Sequence, residues 1–279
     1  MKKGISIWSF GNLSTEESLK LAKDAGFDGI ELALNEEGET SLKTTEKEFL
    51  EIKKTADDLG VTISSVATGL YWDYSLTDDD EKVRIKAQDI VKKEIDMAHA
   101  LGCDTCLVIP GTVCADFVNP DKVTYYQTAY DRILGTFLTL KDYAEQAKVS
   151  IGLENVWNKF LTSPIEMKEF IDKIDSEYVG SYFDVGNVLF NGFPEHWIKI
   201  LGKRIKKVHF KDYRKEAGGL HGFVDLLAGD VNYPAVIKAL NDVGYDGWVS
   251  AEMIPNYKTY NEALIYNTSN SMDKILGRK

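Results

Sequence analysis

Cysteine and histidine are scarce in this chain of 279 residues, which contains three cysteines and four histidines. The odd number of cysteines (Cys103, Cys106 and Cys114) argues against a disulfide framework. Cys103 and Cys106 form a C-x-x-C, but they fall at the start of and inside one predicted strand, on opposite faces. We therefore interpret them as core thiols and not as a redox pair or a zinc site.

Basic residues are outnumbered, with 33 Lys and Arg against 44 Asp and Glu and a net charge of -11. A nucleic-acid-binding surface needs a basic footprint, so no nucleic-acid partner is expected. No apolar run approaches the roughly 20 residues of a membrane span, and the first residues lack an apolar leader with a cleavage site. These absences predict a cytoplasmic protein that does not bind a membrane.

Hydrophobic residues make up 44% of the chain, as is usual for a globular protein. Short apolar runs bounded by Gly or charged residues are predicted to be strands at 5–9, 28–33, 61–67, 105–109, 149–154, 179–184, 205–210 and 246–252. Amphipathic segments between them are predicted to be helices at 15–25, 44–59, 78–100, 123–147, 163–174, 195–201, 233–243 and 258–276. No linker or shift in composition interrupts the alternation, which predicts one domain over residues 1–279.

Alternating strands and helices imply parallel strands and the α/β class. Eight such units in roughly 250 residues are typical of a (β/α)8 TIM barrel. The alternative is an open, doubly wound sheet, which should carry a G-x-G-x-x-G turn after the first strand. The residues after the first strand, Trp8-Ser-Phe-Gly-Asn, lack that pattern, so the barrel is favoured.

Four acidic or imidazole residues stand at the ends of the last four apolar runs: Glu154, Asp184, His209 and Glu252. Packing alone does not place charged groups there. The carboxyl ends of barrel strands form the active site of this fold. Each residue alone has an ordinary structural explanation, but carboxylate oxygens with one imidazole suit Mn²⁺, and the four together predict a metal site.

The strings around these residues resemble the xylose isomerase-like TIM barrels, the sugar phosphate isomerase/epimerase group, and the resemblance covers nearly the whole chain. The strings are Gly152-Leu-Glu-Asn-Val-Trp-Asn, Phe183-Asp-Val-Gly-Asn, Val208-His-Phe-Lys-Asp, Gly229-Asp-Val-Asn-Tyr and Ala251-Glu-Met. The order Glu, Asp, His, Glu is similar to that of the ketose 3-epimerases, such as the D-tagatose/D-psicose and L-ribulose-5-phosphate 3-epimerases.

The resemblance implies one divalent ion, usually Mn²⁺ with Mg²⁺, Co²⁺ or Zn²⁺ as alternatives, held by Glu154, Asp184, His209 and Glu252. It also implies that Glu154 and Glu252 exchange the proton of a small sugar or sugar phosphate. Members of the group are often homodimers or homotetramers. The residues expected to contact the substrate are Trp8, Glu31, Asn187, Lys211 and Arg214, with Lys215 as an alternative to Arg214. Glu31 stands at the end of its strand and could instead hold a loop. At the position of Asn187 many 3-epimerases carry a His.

Epimerisation at C3 of a ketose removes a proton next to a carbonyl and returns it on the opposite face. Two carboxylates on either side of the substrate can do this, and a divalent ion stabilises the charge that develops on oxygen. The alternative is a metal-dependent dehydratase on the same fold, acting on a keto-inositol or a dehydroshikimate-like acid. A nuclease of the endonuclease IV type is disfavoured by the four histidines and the net charge of -11. A non-catalytic sugar-binding barrel is disfavoured because both glutamates are present.

Overall fold

The computed structural model describes residues 1–278. Its strands are β1 (Lys2–Ser6), β2 (Gly29–Ala33), β3 (Thr62–Ala67), β4 (Thr105–Val108), β5 (Ser150–Glu154), β6 (Val179–Asp184), β7 (Ile205–Phe210), β8 (Asp212–Tyr213), β9 (Phe223–Val224) and β10 (Trp248–Ala251). Its α-helices are α1 (Thr15–Asp24), α2 (Glu46–Leu59), α3 (Glu81–Leu101), α4 (Tyr126–Ala147), α5 (Pro164–Ile174), α6 (Val185–Leu189), α7 (Pro194–Leu201), α8 (Tyr233–Asp242) and α9 (Asn261–Leu276). Within residues 1–278, no helix has both the length and the apolar character needed to cross a membrane.

Eight of the strands close into a parallel barrel in the order β1-β10-β7-β6-β5-β4-β3-β2. This arrangement, with helices between successive strands, confirms the predicted (β/α)8 barrel. The remaining strands, β8 and β9, form a separate antiparallel hairpin. Because β5, β6, β7 and β10 are consecutive neighbours, their carboxyl ends lie side by side on one arc of the barrel rim.

Short-range sequence signals set where the first helices begin and end. The side chains of Ser14 and Thr45 each accept a backbone N–H three residues along and form complete capping boxes for α1 and α2. Gly60 and Gly102 end α2 and α3 in the left-handed conformation, with φ of 68° and 78°. Glycine adopts this conformation without steric cost, so the chain can turn directly into the next strand.

The two faces of each strand have different environments. On β6, Tyr182 and Asp184 point to the inside of the barrel, and Phe183 between them packs outward beneath the helices. On β7, His209 points inward and Val208 packs outward in the same way. All five side chains are fully buried. The alternation explains how polar residues reach the barrel interior from strands that are otherwise apolar.

The predicted first strand, 5–9, is wrong by about three residues. The ladder begins earlier because Lys3 is buried within β1, where its ammonium group binds Asp273 at 2.6 Å. The chain then leaves the ladder as a 3-10 turn over Ile7–Phe10. This turn moves Trp8 from the strand to the rim of the barrel.

The last strand and the loop after β7 also differ from the prediction. β10 ends at Ala251, so Glu252 follows the strand, although its N–H still donates to the carbonyl of Phe210 at 3.1 Å. The segment between the predicted strand at 205–210 and the predicted helix at 233–243 contains β8 and β9 of the hairpin, and neither these strands nor the short helix α6 was predicted.

We expect Gly29→Ala to destabilise the barrel near Glu31. A Cβ on Gly29 would lie 2.5 Å from the carbonyl oxygen of Thr62 and 2.6 Å from the ring of Trp248, and the carbonyl oxygen cannot move without shifting β3. The free energy of unfolding should fall by about 2 kcal/mol or more. The matched control is Gly135→Ala inside α4, where a Cβ has open space. This substitution should raise the free energy of unfolding by about 1 kcal/mol. Denaturant unfolding of both variants tests this, and equal midpoints would contradict it.

Candidate functional site

The four residues at the strand ends converge in the structure. Glu154, Asp184, His209 and Glu252 each offer one ligand atom, and these atoms all lie within 4.8 Å of one another. All four side chains are buried. We call this group the acidic cluster. The arrangement follows from the barrel order, because the four strands concerned are neighbours and present the same face to the interior.

The ligand atoms of the acidic cluster face one another. His209 Nδ1 lies 3.4 Å from Glu154 Oε1, 3.4 Å from Glu252 Oε2 and 3.9 Å from Asp184 Oδ2. Within the part of the chain that the structure describes, Asp184 Oδ2, His209 Nδ1 and Glu252 Oε2 have no hydrogen-bond partner. Such buried orphan atoms cost free energy, and each calls for an explanation. Three carboxylates and an imidazole aimed at one point are a donor set that fits a divalent ion such as Mn²⁺.

Lys211 supplies positive charge to the acidic cluster. It follows His209 by two residues, and its Nζ lies 3.2 Å from Asp184 Oδ2. The same ammonium group forms an ion pair with Glu252 Oε2, although without hydrogen-bond alignment. Burial lowers the pKa of Lys211, but the carboxylates of Asp184 and Glu252 outweigh burial and hold that pKa well above its ordinary value.

Glu31 is the partner that fixes His209. The Nε2 atom of His209 lies 2.9 Å from Glu31 Oε1, and both side chains are fully buried. Ser65 donates its hydroxyl to Glu31 Oε2 at 2.9 Å, and Tyr182 donates to the same oxygen. Burial raises the pKa of Glu31, but the interaction with His209 and these hydrogen bonds outweigh it, so the net pKa is lowered. A carboxylate at Nε2 keeps the proton on that nitrogen and turns Nδ1 toward the cluster.

The position of Glu31 corrects its expected role. Glu31 lies beneath His209 and is closed off from solvent, so it does not line a cavity that a substrate could enter. The acceptor for His209 was not predicted from the sequence. The inward-facing Glu at the centre of β2 was the available signal.

Two asparagines hold Asp184 in place. The backbone N–H of Asn187 donates to Asp184 Oδ1 at 2.7 Å. Asn155 brackets the backbone of Asp184, accepting from its N–H at 2.9 Å and donating to its carbonyl at 2.8 Å. Asn155 was not among the predicted site residues, although it directly follows Glu154. Asn187 also lines the cavity above the cluster, as a substrate contact would.

A cavity of about 460 Å³ opens above the acidic cluster. Glu154, Glu252 and Lys211 form part of its floor. Its walls are largely apolar and aromatic, and the aromatic members are Trp8, Trp72, Phe117, Trp157 and Phe223. Such a cavity, apolar with a few convergent polar groups, is typical of a small-molecule site.

Arg214 does not reach this cavity. It is exposed beyond the end of β8, and its guanidinium group donates to the carbonyl oxygen of Ala228 at 2.8 Å. The neighbouring Lys215 is also exposed. The expected substrate-binding arginine after His209 is therefore not provided by either residue, because the chain turns away into the hairpin.

Burial and mutual repulsion perturb the protonation of the acidic cluster. Burial raises the pKa of Glu154 to about 7, and the nearby charge of Glu252 adds to the effect. Burial lowers the pKa of His209, but Glu31 outweighs it and the net pKa is well above the ordinary value. An ion that binds Glu154 and His209 Nδ1 must therefore displace protons.

We expect the affinity for Mn²⁺ to rise with pH through about 7. Below that pH Glu154 is protonated, so Mn²⁺ must release its proton in order to bind. For each proton released, the apparent affinity should fall about tenfold per unit of decreasing pH. Calorimetric titration of EDTA-stripped protein between pH 5.5 and 8.5, in buffers of different ionisation enthalpy, measures both affinity and proton release. An affinity that is constant over this range would contradict the assignment of Glu154 and His209 as ligands.

We also expect Glu31→Gln to weaken Mn²⁺ binding by about 10- to 100-fold, because an amide cannot accept from all the donors around it and orient His209. The matched control is Glu94→Gln. Glu94 is equally buried, but burial raises its pKa well above the ordinary value, and it accepts from Tyr71 at 2.7 Å. A neutral amide should replace it without effect on Mn²⁺ affinity. Equal losses in both variants would mean that Glu31 acts only through general stability.

The comparisons with known proteins agree with this architecture. Residues 19–268 match the family model described as xylose isomerase-like TIM barrel. SgbU of Haemophilus influenzae, which is provisionally named as an L-ribulose-5-phosphate 3-epimerase, is 25% identical over 248 residues, or 87% of this chain and 84% of its own. Its name agrees with the isomerase predicted from the sequence.

Solved structures show the same fold. D-psicose 3-epimerase of Clostridium cellulolyticum H10, crystallised with D-tagatose, aligns with a TM-score of 0.82 and 18% identity over 99% of both chains. A D-tagatose 3-epimerase-like protein aligns with a TM-score of 0.80 and 24% identity over 99% of this chain and 97% of its own. The resemblance stated from the sequence motifs is thereby confirmed. The chain belongs to the xylose isomerase-like TIM barrel family.

Proposed function

We propose that the protein is a divalent-metal-dependent sugar isomerase or epimerase, and specifically a ketose 3-epimerase. One observation carries the proposal. Glu154 and Glu252 approach His209 Nδ1 at 3.4 Å each, from strands β5 and β10 with β6 and β7 between them. Both carboxylates also line the cavity, so they can face a substrate from two sides. The names of the relatives and structural neighbours support the same activity.

The residues that would hold the ion are Glu154, Asp184, His209 and Glu252. Three of their atoms have no other hydrogen-bond partner among residues 1–278, which supports this assignment. Mn²⁺ is the favoured ion because it accepts carboxylate oxygens with an imidazole nitrogen, and Mg²⁺, Co²⁺ and Zn²⁺ are alternatives. When bound, the ion would supply positive charge against the negative charge that develops on the substrate oxygens.

The two glutamates would carry the proton chemistry. One carboxylate removes the proton at C3 of the ketose, and the other, protonated, gives a proton to the opposite face of the same carbon. Lys211 lies against Glu252 and Asp184. From there its ammonium group can hold the Glu252 carboxylate in place and donate to a substrate oxygen.

The test is turnover of a ketose panel in D₂O by the Mn²⁺-loaded protein. A ketose 3-epimerase should form the C3 epimer with one deuterium at C3. Glu154→Gln and Glu252→Gln should each lower kcat by at least about 100-fold. Each variant should still exchange the C3 proton of one epimer, and the two variants should exchange opposite epimers, because each retains one base. Glu94→Gln is the control and should retain activity.

Other outcomes would assign the site differently. Deuterium at C1 with formation of an aldose would mean an aldose–ketose isomerase. Tight Mn²⁺ binding without exchange in any sugar would contradict the epimerase and favour the dehydratase that the sequence left as its alternative. Retention of full activity in both glutamine variants would exclude the two-carboxylate chemistry.

A further inference from the structure

The backbone amides that an anionic substrate group would use at the barrel rim are already occupied by the protein's own carboxylates. Building on the proposed function, we infer that the substrate is an uncharged sugar without a phosphate group. The inference concerns the same cavity above the acidic cluster, and it narrows the class of sugar that can enter.

The loop after β7 contains the first occupied anion site. In TIM barrels a phosphate is frequently bound by the loops after the seventh and eighth barrel strands. Here the carboxylate of Asp212, only 1% exposed, fills a ring of backbone N–H groups. It accepts from Tyr213 and Leu227 at 2.9 Å each and from Val231 at 3.1 Å. The loop packs so closely that a Cβ on Gly229 would lie 2.2 Å from Asp212 Oδ1. These amides cannot bind a phosphate as well.

The helix that follows this loop is capped in the same internal way. Helix α8 begins with Asn232 as its cap, and the side-chain oxygen of Asn232 accepts from the N–H of Ala235 at 3.2 Å. Pro234, at the start of the helix, has no N–H to offer. The first turn of α8 is therefore a poor site for an anion, although helix N-termini commonly bind phosphate.

The start of α1 is also occupied by carboxylates. It borders a second cavity of about 610 Å³, which shares Trp8 and Glu252 with the first. The N–H of Thr15 donates to Glu39 Oε2 at 2.9 Å, and the N–H of Ser14 donates to Glu17 at 2.9 Å. Glu37 and Glu39 both line this second cavity, so its charge would repel a phosphate.

Positive charge near the acidic cluster is already paired or sparse. In residues 1–278, three basic side chains line the cavity above the cluster, the second cavity, or the adjoining cavity that shares Trp157 and Asn187 with the first. They are those of Lys159, Lys211 and His221. Lys159 binds Asp116 at 2.6 Å, and Lys211 is held by Asp184 and Glu252. None of the three is an arginine, the side chain best suited to grip a phosphate with two parallel hydrogen bonds.

The walls of the cavity favour a neutral ring or chain. Trp8, Trp72 and Trp157 present aromatic surface there, and Asn187 offers an amide group. Aromatic faces pack against the C–H groups of a sugar, whereas hydroxyls pair with the few polar groups on the floor. A dianionic group would gain little from such walls and would lose its hydration.

The experiment compares matched pairs of free and phosphorylated ketoses with the full-length, Mn²⁺-loaded protein. L-Ribulose is paired with L-ribulose 5-phosphate, and D-fructose with D-fructose 6-phosphate, and C3 exchange in D₂O is followed for each. We expect kcat/KM for the better free sugar to exceed that of its ester by at least tenfold. A smaller ratio, or a preference for the ester, would overturn the inference while leaving the epimerase intact.

A second readout is independent of catalysis. Binding of D-glucitol and D-glucitol 6-phosphate, which lack the reactive carbonyl, is measured by calorimetry on the same Mn²⁺-loaded protein. The inference predicts that the phosphate does not tighten binding, and tighter binding of D-glucitol 6-phosphate would overturn it. Failure of the proposed function has a different signature, because Mn²⁺ and D-glucitol would bind but none of the four ketoses would exchange at C3.

Discussion

The structure depends on compensating the negative charge of four carboxylates that are buried together inside one end of the barrel. Glu31, Glu154, Asp184 and Glu252 are at most 6% exposed, and such charges are stable only when they are paired. The protein itself supplies His209, which bridges Glu31 below and the acidic cluster above, and Lys211 beside Glu252. Within residues 1–278, three ligand-type atoms still have no hydrogen-bond partner, and a bound divalent ion would compensate the remaining negative charge.

Much of the site could be predicted because its residues belong to strands with clear sequence signals. The predicted limits of β6 and β7 coincide with the observed ones, and the eightfold alternation indicated a barrel in which their ends meet. The bond between Glu31 and His209 could not be predicted in the same way, because it crosses the barrel interior between residues 178 apart in sequence. Arg214 was misplaced because the hairpin after β7 depends on long-range packing around Asp212, which local patterns do not encode.

At the barrel rim, as in the acidic cluster, carboxylates of the protein occupy the positions that decide what can bind. Where a phosphate-binding barrel would leave backbone amides free, this chain fills them with Asp212 and Glu39. The rim is therefore acidic at these positions, and the cavity has aromatic walls above the acidic cluster. Such an enzyme would recognise its substrate through hydroxyl and carbonyl oxygens and not through a charged substituent such as a phosphate. This distinguishes the proposed substrate from the one in the name of its relative SgbU, an L-ribulose-5-phosphate.

The most direct test of the account is a crystal structure of the protein grown with Mn²⁺ and recorded at a wavelength that reveals anomalous scattering. The account predicts a single strong peak bonded to Glu154, Asp184, His209 Nδ1 and Glu252, with the Glu31 bond to His209 Nε2 retained. A peak elsewhere, or an acidic cluster that stays closed around Lys211 at saturating Mn²⁺, would contradict it.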